Sequence, residues 1–289
     1  MRHPGRWVAS AAVLVVLAQA VHALITNPVF QWTAFGYWFF RPVIVQGLAL
    51  TLELTGLSAL FGLLGGVTLA LMRLSKNPVL QAISWGYVWI FRSIPLIVLL
   101  LFLANVTALY STLTLGIPFG PSFVRFSAND VLSFFVVAVL GLSLNEAAYA
   151  AEIVRSGIIS VDQGQLEAAA ALGLPRSRQY RRVILPQATR TIIPAYANQL
   201  IGLLKGTSVV YITSLLELFG VVETEASTNS GQIIPLLMVG TVWYVILTSV
   251  LSVVQYYVER HFSRGALRTI PRTPFQRLRA KLRSVGVIR

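Results

Sequence analysis

The chain has 289 residues, of which 56% are hydrophobic and only 11% are charged, and it carries a formal net charge of +13. So much apolar surface exceeds what the core of a soluble domain needs, and it favours a membrane protein. The chain contains no cysteine, which excludes disulfides, thiol catalysis and thiolate metal sites.

Apolar stretches long enough to cross a bilayer recur along the chain. Because a hydrocarbon core of about 30 Å takes roughly 20 residues of helix, each stretch predicts one membrane helix. The stretches, about six in number, lie within residues 7–40, 43–72, 93–109, 130–155, 192–216 and 233–258. We therefore predict an all-α fold, a polytopic bundle of membrane helices.

The first apolar stretch has two interpretations. Basic residues followed by an apolar run and by small residues at Ala18, Ala20 and Ala23 are also typical of a signal peptide. The run is longer than the core of a usual signal peptide, so we expect a retained helix. Its removal would leave five spans in the same orientation.

The basic residues lie mostly on one side of this topology. Nineteen of the 23 are placed at span ends that share one side, within residues 2–6, 73–76, 155–190 and 260–289. Positive charge marks the cytoplasmic side, so both termini are predicted to be cytoplasmic. The one-sided pattern also argues against a nucleic-acid partner.

Local sequence patterns predict several further features of the spans and of the segments that connect them. Gly62 and Gly66 form a G-x-x-x-G step that allows close helix packing. A helix is expected over 80–91, and Ser93 is expected to cap the third span. Residues 110–129 are rich in Gly, Pro, Ser and Thr, which predicts an external loop with a short helix at most. Between the last two spans an external segment carries Glu217, Glu223 and Glu225.

The longest polar interval, residues 156–190, is patterned like two short helices. Residues 165–172 are strong helix formers that stop at Gly173, and 176–185 form a second, basic candidate that ends at Pro186. Such a helix pair suits docking into a groove of another protein. On periodicity alone, a plain cytoplasmic loop fits equally well.

Ionisable side chains inside a span cost about 2.5 to 3.5 kcal/mol on insertion scales, so each requires a partner or a polar cavity. Glu146 is expected to meet the ammonium group of a zwitterion or to join an inter-helix hydrogen-bond network. Lys205 is expected to meet a carboxylate or to pair with a buried glutamate. The candidate residues of a substrate pathway are Glu53, Asn145, Glu146, Tyr149, Lys205, Thr207 and Ser208.

Other classes of protein fit the sequence less well. No G-x-x-x-x-G-K-[ST] motif occurs, so the chain is not itself predicted to be an ATPase. Its three histidines, at 3, 22 and 261, are scattered and show no metal spacing, so neither an enzyme nor a metal site is predicted. An ion-coupled secondary transporter of a small polar solute stays open as the alternative, although no convincing inverted repeat is present.

One motif within 156–190 resembles a known family. The spacing of Glu167-Ala168-Ala169, Gly173, Val183 and Leu185-Pro186 resembles the EAA motif of ABC importer permeases, the binding-protein-dependent membrane subunits. The family usually has isoleucine at the position of Val183. We call residues 156–190 the EAA segment.

Further residues resemble the polar amino acid branch of that family, typified by histidine and glutamine permeases. They are Phe91-Arg92, Pro95, Ala148-Tyr149, Ala151-Glu152-Ile153, Arg155 and Gly164-Gln165. This branch usually has Gly-Thr at Ser93-Ile94, and an Asp within the element that here reads Lys205-Gly206-Thr207-Ser208. The resemblance covers residues 37–265.

The resemblance implies a type I importer with a five-helix core plus the N-terminal helix. Its partners would be a second permease subunit, identical or sibling, a dimer of ATPase subunits that bind ATP and Mg, and an external solute-binding protein that supplies a polar amino acid. The EAA segment would seat a coupling helix in a cleft of the ATPase. The implied coupling residues are Gln165, Glu167, Ala168, Ala169, Gly173, Leu185 and Pro186.

Within this segment the resemblance assigns individual roles. Glu167 is expected to anchor the segment by hydrogen bonds or a salt bridge, Gly173 to allow the turn, and Pro186 to end the element. The expected domains are an N-terminal helix with a linker at 1–36, the transmembrane domain at 37–259 and a basic cytoplasmic tail at 260–289.

Overall fold

The computed structural model describes residues 4–117 and 120–262. Within them, four helices are long and apolar enough to cross a membrane. Two bent pairs of shorter helices pass the same test together, which gives up to six spans if each pair is one span. The prediction of about six spans is thus confirmed in number. The orientation of the termini stays a prediction.

The elements follow one another as a helical chain with one β-hairpin. The first helices are α1 (Pro4–Thr26), α2 (Trp32–Phe39), α3 (Pro42–Leu74), α4 (Pro78–Ser93), α5 (Leu96–Ala104) and α6 (Val106–Leu109). The hairpin consists of β1 (Thr112–Gly116) and β2 (Ser122–Ser127). The later helices are α7 (Ala128–Val131), α8 (Phe134–Ile159), α9 (Gln163–Ala171), α10 (Arg176–Gln179), α11 (Leu185–Gly206), α12 (Leu218–Thr228) and α13 (Ile233–Phe262).

The chain divides into two compact units, each of which is described by itself. The first comprises Met1–Leu60, Ile94–Ser143 and Leu203–Thr248. Its core contains apolar residues of α3, α12 and α13, which include Ile44, Leu218, Val222 and Leu236. These side chains have little or no exposed surface, so α12 is enclosed by its neighbours.

The second unit comprises Phe61–Ser93, Leu144–Gly202 and Ser249–Arg289. In it α3 packs tightly against α8. A Cβ atom added at Gly62 would lie 2.6 Å from Glu146 Cγ, and one added at Gly66 would overlap Ala150. The prediction that the G-x-x-x-G step allows close helix packing is therefore confirmed.

The predicted third span differs from the structure. The Ser93 hydroxyl donates to the Trp89 carbonyl at 2.7 Å, so Ser93 ends α4 instead of capping the next helix. Helix α5 begins after Pro95 and has only nine residues, too few to cross a bilayer alone. The prediction of one helix over 93–109 is wrong, because α5 ends at Ala104 and Asn105 separates it from α6. The helix predicted over 80–91 is confirmed as α4.

The loop predicted over 110–129 is also wrong, because most of it forms the antiparallel hairpin. Leu113 pairs with Phe126 and Thr114 with Arg125, which places apolar and polar pairs on opposite faces. The signal for these strands is the alternation of apolar and polar residues on both sides of a turn rich in glycine and proline.

Pro186 does not end the second helix of the EAA segment. Residues Tyr180–Ile184 form a π-helical turn, and the chain continues directly into α11. The Leu185 N–H bonds to the Tyr180 carbonyl, five residues back. Proline lacks an N–H, and the π-helical turn just before Pro186 departs from the α-helical hydrogen-bond pattern that this N–H would have joined. The helix therefore continues through Pro186, and the predicted helix end is wrong.

The ends of the chain are described only in part. Helix α1 is exposed in this single subunit from residue 7 to residue 26. The predicted basic tail lies outside the described residues from 263 onward. The domain limits at 36 and 259 stay predictions.

Candidate functional site

The turn that follows α9 is closed by a regular set of hydrogen bonds. The Leu174 N–H bonds to the Ala169 carbonyl at 3.1 Å, and the N–H of the preceding glycine bonds to the Ala170 carbonyl at 2.9 Å. This pair is the Schellman pattern. Gly173 has the left-handed conformation that the pattern requires, with φ 69°. At its start, α9 is capped by Asp162, whose Oδ1 accepts a backbone N–H at 2.7 Å.

Within the EAA segment, α9 and the turn that follows it are held against the end of α8 and the start of α11. The Gln187 side chain donates to Gln165 Oε1, and the Gln179 side chain donates to the Leu174 carbonyl at 2.8 Å. An apolar cluster joins the same elements, and its members are Val161, Ile184 and Ala188, with Ile158, Leu166 and Ile192 packed against them. These contacts connect α9 to the ends of the two longer helices.

The tip of the EAA segment, residues 172–175, presents an apolar side chain to its surroundings. Leu172 is 79% exposed and directly precedes Gly173. Ala169 is buried, whereas the other implied coupling residues are all exposed: Gln165, Glu167, Ala168, Gly173, Leu185 and Pro186. Sequence reasoning missed Leu172, although a leucine that ends an alanine-rich helix just before a glycine is a visible signal.

Glu167 does not have the expected contact. Its side chain is exposed and makes no hydrogen bond or ion pair with any residue that the structure describes. Glu167 and Ala169 are two positions apart on α9, so their side chains point in directions about 200° apart around the helix. Because Ala169 is buried, Glu167 faces away from the core. The predicted anchor is therefore not formed within the described part of this chain, and the carboxylate lies free beside the tip.

The polar residues of α8 face different neighbours. The Asn145 side chain donates to the Phe91 carbonyl at 3.1 Å, and the Arg92 guanidinium carbon lies 5.3 Å from the centre of the Tyr149 ring. Both contacts are made to α4. Glu146 instead packs on Gly62 and is only 2% exposed.

The carboxylate of Glu146 is incompletely paired. Its Oε2 accepts from the Gln199 side chain at 3.1 Å, while its Oε1 is buried without a hydrogen-bond partner among the described residues. The contact to Gln199 matches the inter-helix network that the sequence leaves open. The structure brings Asn145 and Tyr149 together, but it turns Glu146 away from them.

Lys205 lines a cavity in the first unit. The cavity has a volume of about 360 Å³, and its polar lining residues are Lys205, Ser208, Thr241, Tyr244 and Thr248. The Lys205 ammonium group makes no hydrogen bond or ion pair within the described residues, so the alternative pairing with a buried glutamate is not formed there. An unpaired ammonium group in a helical span needs a polar ligand or an open cavity.

The remaining two candidates lie elsewhere. Thr207 is fully buried, and its hydroxyl donates to the Leu204 carbonyl at 2.7 Å, so it supports the backbone beside Lys205. Glu53 is an exposed residue on α3. Neither lines the cavity that contains Lys205.

The sequence predicts Glu217 in an external segment, and that placement stays a prediction. Glu217 is fully buried and caps α12. Its Oε1 accepts from the Gly220 N–H at 2.8 Å, and its Oε2 accepts from the Tyr244 hydroxyl at 3.0 Å, the Phe219 N–H at 3.0 Å and the Thr51 hydroxyl at 3.2 Å. A carboxylate is a good ligand for the free N–H groups of a helix start. Two of its partners, Tyr244 and Phe219, also line the cavity.

The sequence of this chain is similar to those of known transport proteins. Residues 62–264 match the family described as binding-protein-dependent transport system inner membrane component. The arginine transport system permease protein ArgU of Corynebacterium glutamicum is 44% identical over 272 residues, which cover 93% of this chain and 84% of that protein. The glutamate/aspartate import permease protein GltK of Escherichia coli O6:H1 is 35% identical over 76% of this chain and 93% of its own length.

Two solved structures share the fold. A chain of an amino acid ABC transporter crystallised with histidines has a TM-score of 0.64 and 30% identity, and the match covers 76% of this chain and 94% of that chain. A chain of the MetNI methionine ABC transporter, in an inward-facing conformation, has a TM-score of 0.59 and 20% identity. The match covers 76% of this chain and 96% of that chain.

Proposed function

This chain belongs to the family of binding-protein-dependent transport system inner membrane components, and from that premise we propose that it moves a polar amino acid by alternating access, driven by a separate ATPase through the EAA segment. It is a multi-pass inner-membrane protein and the permease component of an amino acid ABC importer. The family does not favour the ion-coupled secondary transporter that the sequence leaves open.

The observation that carries the coupling proposal is the tip of the EAA segment. Leu172 is 79% exposed at a helix end whose turn is closed by hydrogen bonds, so the turn presents an apolar side chain in a defined position for a partner protein to cover. The free Glu167 carboxylate beside it offers a charged contact to the same partner. We assign Leu172, Glu167, Ala168 and Gly173 to the face that docks on the ATPase.

The contacts that hold α9 to α8 and α11 transmit movement from the docking face to the longer helices. Gln165 is tied to Gln187, and the Ala188 cluster joins α9 to α8 and α11. A displacement of α9 by the ATPase therefore moves both longer helices as one body, which is how packed elements switch between two arrangements. Gln165, Ala169, Leu185 and Pro186 act here by positioning the docking face.

The proposed partners follow from the family. They are a dimer of ATPase subunits, which bind ATP and Mg, an external solute-binding protein and a second permease subunit, identical or sibling. This chain needs no cofactor of its own in the proposal. The chemistry of ATP hydrolysis belongs to the partner chain.

For the substrate, we assign the Lys205 cavity to the pathway. An amino acid always carries a carboxylate, and an unpaired ammonium group with hydroxyl groups of Ser208 and Thr241 nearby suits it. Asn145, Glu146 and Tyr149 of α8, together with Glu53 and Thr207, stay in the proposal as pathway candidates without such a cavity of their own.

Replacing Lys205 by methionine tests this assignment. Loss of a hydrogen bond to a charged group costs about 1.5 to 3 kcal/mol, so the KM for uptake should rise roughly 10-fold to 150-fold. The measurement is uptake of labelled arginine and labelled glutamate into proteoliposomes that contain the permease, its ATPase and its binding protein. The matched control is Lys76→Met, an exposed lysine between α3 and α4. An unchanged KM in Lys205→Met would remove Lys205 from the pathway.

A further inference from the structure

A second pocket, more polar than the cavity that contains Lys205, lies at the base of the EAA segment. Its volume is about 550 Å³, and its polar lining residues are Ser160, Gln165, Arg182, Gln187, Arg190 and Thr191. All of them belong to the second unit. None of the functions assigned above uses its two arginines.

The pocket carries unbalanced positive charge. Arg182 and Arg190 are both exposed, and neither makes a hydrogen bond or an ion pair with another described residue. No aspartate or glutamate lines the pocket. Two guanidinium groups with hydroxyl and amide donors around them form a site for an anion with several oxygens, such as a phosphate.

The pocket lies at the membrane end of the segment and not at its tip. Ser160 directly follows α8, and Arg190 lies in the second turn of α11, so both long helices enter the pocket at their ends. From Gln165 in the pocket to Leu172 at the tip is roughly 10 Å of helix. A partner that grips the tip therefore leaves the arginines near the lipid headgroups, where arginine side chains extend when a helix enters a bilayer.

Apolar surface continues from the pocket along α11. Ile193, three residues after Arg190 and on the same side of the helix, is 36% exposed. A ligand with a phosphate at the arginines and a hydrocarbon chain along Ile193 uses both surfaces. This combination favours a phospholipid over a soluble anion and over an acidic side chain of another protein.

We infer that the pocket lined by Arg182 and Arg190 binds the phosphate headgroup of an anionic phospholipid. Basic pockets at the cytoplasmic ends of membrane helices attract such lipids. The bound headgroup contacts Gln165 of α9 and Gln187 of α11, whose side chains are hydrogen-bonded to each other, so it holds α9 to α11. We expect it to raise the coupling of ATP hydrolysis to transport, a consequence that rests on the proposed function, whereas the binding itself does not.

The test compares how much lipid is retained by the unmodified full-length chain and by its arginine variants. Full-length permease is purified from bilayers of phosphatidylcholine mixed with phosphatidylglycerol, and bound phosphatidylglycerol is counted by native mass spectrometry. The double variant Arg182→Gln, Arg190→Gln should retain roughly tenfold less phosphatidylglycerol than the unmodified chain. The matched control Arg176→Gln removes an equally exposed arginine of the same segment that does not line the pocket, and it should retain the lipid.

Three outcomes would overturn the inference. Equal retention by the double variant and the unmodified chain would show that the arginines do not hold the lipid. Displacement of the phosphatidylglycerol by inorganic phosphate alone would show a soluble-anion site. Loss of ATPase binding by the double variant, with lipid retention intact, would assign the arginines to the ATPase. Because retention needs neither ATPase nor transport, its failure would leave the proposed function untouched.

Discussion

Replacing Gly173 by aspartate is expected to lower ATP-driven uptake by roughly 30-fold or more while the subunit still inserts into the membrane. Gly173 has φ 69° at the end of α9, a conformation that costs a residue with a Cβ atom about 1 to 2 kcal/mol. The new carboxylate also lies at the negative end of the α9 dipole, which adds a further penalty. Both effects turn Leu172 away from its docking position.

The matched control for this prediction is Gly173→Asn. Asparagine has nearly the shape of aspartate and the same tolerance of the left-handed conformation, so the two variants share the backbone cost and differ in charge. No atom lies within 4 Å of the place where a Cβ atom would stand, so neither side chain clashes within the described chain. Uptake and ATP hydrolysis are measured in proteoliposomes with equal amounts of inserted permease. Asparagine should retain a clear part of the uptake, and full uptake with aspartate would contradict the role of the tip.

Replacing Glu217 by alanine is expected to destabilise the permease by roughly 3 to 5 kcal/mol. The change removes the cap of α12 and leaves the N–H groups of Phe219 and Gly220 and the hydroxyl group of Tyr244 without their buried acceptor. At roughly 2 °C per kcal/mol for a chain of this size, the melting temperature of the detergent-solubilised protein should fall by about 6 °C or more.

An exposed glutamate of the same helix gives the control. Glu223→Ala should shift the melting temperature by little, because surface substitutions usually change stability by less than about 0.5 kcal/mol. Glu217→Gln keeps one acceptor oxygen and should lie between the two. Equal melting temperatures for Glu217→Ala and Glu223→Ala would mean that the buried carboxylate does not hold α12 in place.

Features with long-range regularity could be predicted from the sequence. The spans depend on the length of apolar runs, which the bilayer thickness dictates, and so their number was predictable. The close packing of α3 on α8 depends on Gly62 and Gly66, whose spacing is itself a packing signal. The EAA segment was recognisable because its residues have strict spacing.

Features decided by competition between local signals could not be predicted. At residues 93–109 the apolar run indicates one long helix, but the backbone at Asn105 ends α5 at Ala104 and separates it from α6. At 180–186 the proline indicates a helix end, but a π-helical turn accommodates it. In both places, the geometry of one turn overrides the composition of the whole stretch.

Burial of single polar residues was equally hidden. Glu217 and Glu223 look alike in the sequence, yet one is fully buried and the other is exposed. The difference arises from Thr51 and Tyr244, which are distant in the chain and supply the hydrogen bonds that make burial of a carboxylate tolerable. Such partners become visible only when the helices are packed together.

Cross-linking from the tip of the EAA segment tests the central claim most directly. The chain has no cysteine, so Leu172→Cys carries a single thiol to which a photoactivatable cross-linker can be attached. Leu109→Cys, 63% exposed in the unmodified chain, is the matched control on the predicted external side. With the permease assembled with its ATPase, we expect an adduct to the ATPase from position 172 and none from position 109. Absence of an adduct from 172, or equal adducts from both positions, would contradict the assignment of this turn as the contact that drives transport.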